Sequence, residues 1–599
     1  MDDTLPAHAG GAATRHRVVP VRLTGQDRPR DNVPPQWHRG MTLLAAISLF
    51  IGTRGAWTRA VEEAALPLAA VISVCYAGIL ICGVLALSVR GRKALGRVDL
   101  AVLVLAITLV ICRHWMQHIG TDEGVLTTQA ASEILRGHPI YERPWPWLFD
   151  REGVGVTKTM SGGGDYTYAY PPLAALLTAP VYALVHSRAA ATGVTTGALI
   201  VGTVVLWRLL PATWRPAATA VCLGFGMLPN YARSGYPAIV AFALLVPVVV
   251  SWPATGAGGR LGRYGVLRAG CLGAACAAQQ LSWFLLPFLV VGVYAVRRGE
   301  LGGRAALGVI ARYTGIAALT WSLINAYFAV QDFPAWLTGT FLPMTQGAIL
   351  HGQGVMGISY YLTHGSGRLD FYSYASLLLL LGLLAALTLF VRRLGPALTV
   401  LPWLAFYLAT RSQDGYFLLM TPLWLAAAAT VPGTALATAW QPRITRVSGP
   451  GAKAALAAGL LVPAVLCVGV AATSPPPLRL SVAPEFTDQP RRGITSVVVH
   501  AVNTTGTALA PHFASRTGQG ASDWWPISSG PAALGPHASA AYVLTPPGGF
   551  RALPRGRARL HLIAVTGTPM TITTVLFPVR SATSPAHAGP SAPSRAAPR

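Results

Sequence analysis

The sequence predicts an all-α polytopic transmembrane bundle of about 11 to 14 spans, followed by a small extracytoplasmic β-sandwich-like domain. Three observations predict it. Only 11% of the 599 residues are charged and 53% are hydrophobic, against roughly a quarter charged in a soluble domain, which could not cover its surface with so few. The apolar residues are blocked into runs such as Leu66 to Leu87 and Tyr372 to Val391, each reaching the ~20 residues that cross a hydrocarbon core of ~30 Å. Beyond Ala472 the pattern changes to short alternating stretches, Ile494 to Val502, Arg557 to Val565 and Met570 to Val579, punctuated by Pro475-Pro476-Pro477 and Pro546-Pro547-Gly548-Gly549. Period-two alternation between turn residues is the pattern of a small antiparallel sheet pair.

Taken in order, residues 1–39 are polar and carry Arg15, Arg17, Arg22, Arg28, Arg30 and Arg39. They read as a disordered cytoplasmic tail without a cleavable signal. The transmembrane domain covers 40–472, with spans expected near 41–58, 64–89, 98–118, 190–208, 214–229, 235–252, 268–297 (as two short passes), 305–329, 371–392, 395–410, 414–432 and 452–472. The segment Pro171 to Val185 is apolar but short and opens on two prolines, so it reads as re-entrant or interfacial. The basic clusters Arg208/Arg215, Arg260/Arg263/Arg268, Arg297/Arg298/Arg304, Arg392/Arg393 and Arg443/Arg446 belong on the cytoplasmic side, although no reading of the spans places all of them there. The net charge of +25 therefore reflects loops between apolar spans and not a nucleic-acid partner. All seven cysteines fall inside apolar spans, so no disulfide framework staples the β domain, 473–580. The Ser-, Ala- and Pro-rich tail 581–599 reads as disordered. The expected location is the plasma membrane, N-terminus cytoplasmic, with the loops 119–170, 330–370 and 411–414 and the β domain outside.

The chemistry is sought in the loop 119–170, which holds Asp122, Glu123, Glu133, Glu142, Asp150, Glu152 and Asp165 out of 21 acidic residues in the chain. Thr121 is a plausible N-cap, Leu126, Ala130 and Ile134 recur at helical spacing, and Gly137 with Pro139 ends the helix. This predicts an amphipathic helix lying along the outer membrane surface with the Asp122–Glu123 pair at its N-terminus, where the helix dipole favours ionised carboxylates. Such a carboxylate suits a general base acting at a lipid–water boundary; it equally suits an acidic cap with no chemistry.

Two further strings follow: Arg136-Gly137-His138-Pro139-Ile140-Tyr141 and Tyr168-Ala169-Tyr170-Pro171-Pro172-Leu173. In this order, over about residues 110–300, the three elements resemble the GT-C superfamily of glycosyltransferases. The nearest likeness is to polyprenyl-phosphomannose-dependent mannosyltransferases and protein mannosyltransferase-like proteins. The resemblance implies a GT-C-like fold and an inverting transfer of a sugar, by family mannose, from a polyprenyl-phosphate donor to a cell-envelope glycan, glycolipid or protein. It implies Asp122 as general base, with Glu123 as its stand-in.

A monophosphate leaving group needs no obligatory cofactor or divalent metal, and Arg or His side chains can stabilise it. The candidates are Arg233, His351, His364, Arg368 and Arg411, each of which also reads as an interfacial anchor; Arg411 could instead pair with Asp414. Tyr168 and Tyr170, with Trp145 and Trp147, suit stacking on sugar or an interfacial belt. His114, His118 and Asp122 imitate a metal-ligand set but read better as an interfacial cluster. Gln279 and Gln280 read as interior polar groups bonding across helices. Trp524-Trp525 suits a carbohydrate platform, a β core or an anchor, and Asn503-Thr504-Thr505 matches a glycosylation sequon by pattern. A transporter of lipid-linked sugars would show paired repeats with broken helices at midplane. A non-catalytic envelope scaffold would leave the acidic loop unexplained.

Overall fold

The computed structural model describes residues 33–116, 120–347, 353–442, 449–486, 494–517, 520–548 and 559–578. Residues 1–32, His118, His351, Arg443, Arg446 and the tail from 579 lie outside the described residues.

The first helices are α1 (Gln36–Thr53), α2 (Ala56–Glu62), α3 (Leu66–Ser88) and α4 (Arg92–Trp115). The loop that follows carries α5 (Asp122–Leu135), α6 (Pro146–Glu152) and α7 (Leu173–Val185). Then come α8 (Ala190–Leu209), α9 (Arg215–Thr219), α10 (Met227–Arg233), α11 (Pro237–Val249), α12 (Gly262–Ala278), α13 (Leu281–Leu301), α14 (Gly303–Gln331) and α15 (Phe333–Thr345). A two-residue strand β1 (Gly365–Ser366) precedes α16 (Asp370–Leu389), α17 (Val391–Leu394), α18 (Asp414–Leu418), α19 (Thr421–Thr430) and α20 (Pro450–Thr473).

Among the described residues eight helices are long and apolar enough to cross a membrane: α1 continued into α2, α3, α4, α8, α13, α14, α16 and α20. Other segments expected as spans are shorter or broken. Residues 215–233 run as α9, a π turn and α10, and 395–407 form 3₁₀ turns. The expected 268–297 segment is two helices, because Gln279 adopts an extended φ/ψ of −159° and 138° between α12 and α13. At 13 residues, α7 measures about 20 Å, less than a hydrocarbon core.

The basic clusters gather at the end of the bundle where α1 and α3 meet the intervening loops. Arg39 donates to the carbonyls of Ala86, Leu87 and Val89, Arg297 to Pro253 O and Arg268 to Ser251 O, and Arg392 to Ala439 O. With α12 and α13 resolved as separate helices, one end holds Arg208/Arg215, Arg260/Arg263/Arg268, Arg297/Arg298/Arg304 and Arg392/Arg393. Within that end His38 Nε2 lies 2.8 Å from Asp99 Oδ2, and Thr42 donates to Asp99 Oδ1 at 2.7 Å.

One expectation is corrected at α5. It does not lie along a membrane surface: Gly124 to Thr128 and Ala130 to Glu133 are buried, and the helix packs against α7 and α8. Small side chains make that possible. A Cβ on Gly124 would sit 2.6 Å from Ser234 O, and one on Gly235 would sit 2.4 Å from Gly124 Cα. Gly235 also holds φ at +87°, and its neighbour Ser234 O accepts from Thr121 N at 3.0 Å. Left-handed strain and overpacking together predict that Gly235→Ala costs about 2–4 kcal/mol. The expected result is a clear fall in unfolding temperature in detergent; an unchanged value would refute the close contact.

Beyond α20 the strands are β2 (Leu478–Phe486), β3 (Ile494–Asn503), β4 (His512–Thr517), β5 (Gly520–Ala521), β6 (Ile527–Ser529), β7 (Ser539–Leu544), β8 (Arg559–Gly567) and β9 (Met570–Pro578). They form two sheets, β2-β3-β7-β6 and β1-β9-β8-β4-β5. Val497, Val499 and Tyr542 of the first share an apolar cluster with Phe513, Leu562 and Phe577 of the second. Trp525 is buried in that cluster. Asn503 is buried too, its amide donating to Thr507 O, Leu534 O and Gly535 O, so the sequon's asparagine serves a turn.

The β region is not a free appendage. β1 pairs with β9, Gly365 opposite Thr573, and a second apolar cluster joins Met160, Tyr360, Leu369 and Tyr372 to Ala514, Ile563, Val565 and Ile572.

Candidate functional site

The N-terminus of α5 opens on a cavity of about 340 Å³ lined by Asp122, Glu123, Thr157, Lys158, Asp165, Tyr170, Tyr236, Arg411 and Asp414, among others. A second cavity of about 470 Å³ lies beside it, lined by Gln280, Phe284, Met344, Tyr374, Leu377, Leu380, Phe406 and Tyr416. Both are in the size range of small-molecule sites. Glu123, Tyr170 and Arg411 line both, so the cavities meet there. The first is rich in carboxylates and the second is mainly apolar. Tyr374 and Leu377 are exposed, so the second cavity reaches the flank of the bundle.

The two carboxylates of the acidic pair are held differently. Asp122 Oδ2 accepts from Thr157 Oγ1 at 2.5 Å, and its Oδ1 accepts from the N–H of Glu123 at 3.0 Å. Glu123 turns toward the junction. By surface area it is half-buried, because it faces a cavity, but its Oε2 is out of solvent contact and has no hydrogen-bond partner. That local burial governs its titration. Desolvation, then the neighbouring Asp122 charge, push the Glu123 carboxyl up to about 8, while Tyr170 and the Arg411 guanidinium pull the other way. Asp165 is raised likewise by burial, opposed by Arg411.

Glu123 thus binds its proton more tightly folded than unfolded, so its contribution to stability is fully present below the ordinary carboxylate range and is lost as pH rises through about 8. Glu123→Gln should flatten that decline, read as unfolding temperature against pH. A parallel decline in the variant would show that another group causes it.

Arg411 stands at the junction. Its Nη1 donates to Gln346 Oε1 at 3.0 Å, and its Nε is buried without a partner. The alternative pairing with Asp414 does not form; Asp414 Oδ1 accepts instead from Gly415 N at 2.9 Å. Gln280 braces the same region, donating to Ala169 O and to Thr340 O, each at 2.8 Å. It ties the loop before Tyr170 to α15, the bonding across elements expected of an interior amide.

Of the candidate residues, Asp122, Glu123, Tyr170 and Arg411 come together. Of the other proposed substrate contacts, Tyr168, Arg233, His364 and Arg368 line neither cavity, whereas Asp165 and Asp414 line the first and Gln279 and Gln280 the second. Tyr168 is buried behind Tyr170, its hydroxyl donating to Pro171 O at 3.2 Å and its ring 5.9 Å from that of Tyr141. Arg233 lies on the other side of the α5 N-terminus, near Asn230, which it shares with Arg113. The chain turns at Gly235, so Tyr236 reaches the cavity where Arg233 was expected. His364 and Arg368 are exposed and border β1, His364 O accepting from Thr574 N; they flank the seam with the β region.

Trp145 is buried, and Trp147 lies under Arg151 at 4.8 Å. His114 faces Thr196 at 3.4 Å. Among the described residues no group of three His, Cys, Asp or Glu is placed to hold a metal. Sequence reasoning singled out no role for Asp165, Gln346, Tyr236 and Tyr416. The one signal available was Asp165's place in the acidic loop.

No protein-family model, no curated protein and no solved structure matches this chain.

Proposed function

We propose that this chain is an integral membrane glycosyltransferase that moves a sugar from a polyprenyl-phosphate donor to a cell-envelope glycan, glycolipid or protein. The observation that carries the reading is the meeting of a carboxylate-lined cavity and an apolar, flank-opening one at Glu123, Tyr170 and Arg411. An amphiphilic donor fits that junction. Its chain enters between α13, α15 and α16 from the bilayer, its phosphate rests at Arg411, and its sugar reaches toward Asp122. The acceptor takes the polar cavity. Collection of the basic clusters at the remote end supports placing that end in the cytoplasm, by the positive-inside rule, and the cavities with the β region outside. The three sequence elements of the acidic motif, the Gly137-His138-Pro139-Ile140-Tyr141 turn and the Tyr168-Ala169-Tyr170-Pro171-Pro172-Leu173 segment support the GT-C reading; mannose is the sugar the resemblance favours.

In this reading Asp122 takes the proton of an acceptor hydroxyl, and that oxygen attacks the anomeric carbon from the face opposite the phosphate. The bond between the anomeric carbon and the phosphate oxygen breaks with inversion, and its electron pair leaves on polyprenyl phosphate. Arg411 stabilises the departing charge through charge-assisted hydrogen bonds. Burial alters the part of Glu123 from a stand-in base to a proton donor: neutral near pH 7, it protonates the leaving phosphate. Solvent then takes the proton from Asp122 and supplies one to Glu123, so that both carboxyl groups return to their starting states.

The direct test supplies purified chain in detergent with polyprenyl-phosphate mannose and an alkyl mannoside. Release of polyprenyl phosphate together with a disaccharide product is expected. Failure with mannose, and with arabinose as the donor sugar, would overturn the reading, and movement of intact donor across a vesicle wall without cleavage would favour a transporter.

A further inference from the structure

Residues 157–165 form a short hairpin closed by a bridge between Lys158 and Gly164. Its base carries site groups: the Thr157 hydroxyl is on Asp122, Asp165 N donates to Thr157 O at 2.8 Å, and Thr157, Lys158 and Asp165 all line the polar cavity. Its tip is gripped from the β region. Trp524 Nε1 donates to Gly163 O at 3.2 Å, and Asp523 Oδ1 lies 2.9 Å from Lys158 Nζ. The His512 ring presses so closely on Gly162 that an added Cβ would meet its Nδ1 at 2.2 Å, and a Cβ on Gly567 would meet Ser161 Cα at 3.1 Å. Met160 is buried in the cluster with Ile563 and Val565. Ala521, from β5, reaches the cavity wall itself.

Five separate contacts on nine residues are more than docking requires. The hairpin has little helix or sheet of its own, so its geometry is set by what holds it. We infer that the β region is a positioning element for the transfer reaction: through Asp523, Trp524 and His512 it fixes the hairpin so that Thr157 stays on Asp122 and Asp165 stays beside Arg411. The inference rests on the transferase reading for its catalytic consequence, but the grip itself can be measured apart from activity. Asp523 and Trp524 touch no reacting atom here and act through the hairpin.

The experiment uses full-length Asp523→Ala and Trp524→Ala chains. Asp523 has an exposed side chain, so its variant tests the grip even if Trp524→Ala folds poorly. Transfer with polyprenyl-phosphate mannose should lose about tenfold or more in kcat, as small misplacements of catalytic groups do, with KM for the donor unchanged. In a Thr157→Val background the same substitutions should cost much less, because they act through that hydroxyl. A merely structural role would give additive losses.

Independently, Lys158 should react severalfold faster with an amine-directed ester in both variants, with Lys93 and Lys453, the only other lysines, as internal references. Wild-type kcat in both variants, or additive losses, would overturn the positioning role; unchanged Lys158 labelling would overturn the grip. If the wild-type chain transfers nothing while labelling accelerates as expected, the transferase reading fails and the grip stands.

Discussion

Asp122→Asn is expected to lower kcat by about 10²–10⁴-fold, the usual contribution of a positioned base, with little change in the KM for the lipid donor. Asparagine keeps the size and can still accept from Thr157, so the cavity should survive while proton abstraction is lost. The split follows from the geometry: Asp122 lines the polar cavity and not the apolar one, so the donor's chain should bind as before. Steady-state kinetics over both substrates, with the unfolding temperature as a control, decide it. Wild-type turnover in a folded Asp122→Asn chain would end the base assignment.

Arg411→Ala should be nearly as damaging, about 10²–10³-fold in kcat, the scale seen when a stabiliser of developing charge is removed. Arg411→Lys should recover only part of this, because an ammonium cannot reproduce the planar fork a phosphate prefers. The substitution also has a signature in pH. Arg411 pulls the Glu123 carboxyl down against burial, so its removal should raise that group further. Activity that needs Glu123 protonated should fall as pH rises through about 8 in the wild type. The fall should move to higher pH in Arg411→Ala and vanish in Glu123→Gln. A rate profile unmoved by both substitutions would remove Glu123 from the proton transfer.

Much of this arrangement was legible in the chain. The acidic pair at a helix start, the tyrosine before Pro171-Pro172 and a lone arginine beside Asp414 are local patterns, and each reaches the cavity. Strands β3, β8 and β9 follow directly from alternation between turn residues. What could not be read depends on closure over long distances. Asp165 and Arg411 are brought near each other by packing between segments that share no local pattern, and Gln346 enters only because α15 ends there. His364 and Arg368 carried the right chemistry for a phosphate, yet the pairing of β1 with β9 turns their segment into a seam. Arg233 missed the cavity because the turn at Gly235, imposed by its left-handed backbone, presents Tyr236 instead. The failure at α5 has a physical cause as well: its apolar stripe is real, but Gly124, Thr127, Thr128, Ala131 and Ser132 on its other faces are small enough to be buried against protein too.

The pairing of β1 with β9 has a consequence for biosynthesis. Residues 365–366 leave the ribosome long before 570–578, and the segment that holds the hairpin's tip likewise comes from the chain's last quarter. A nascent polypeptide can therefore complete its long apolar helices while the hairpin beside Asp122 still lacks its partners in the β region. Only when β4 to β9 are translated can the hairpin be gripped and β1 be paired, so on the proposed reading stop codons ahead of these strands should yield inserted but inert protein.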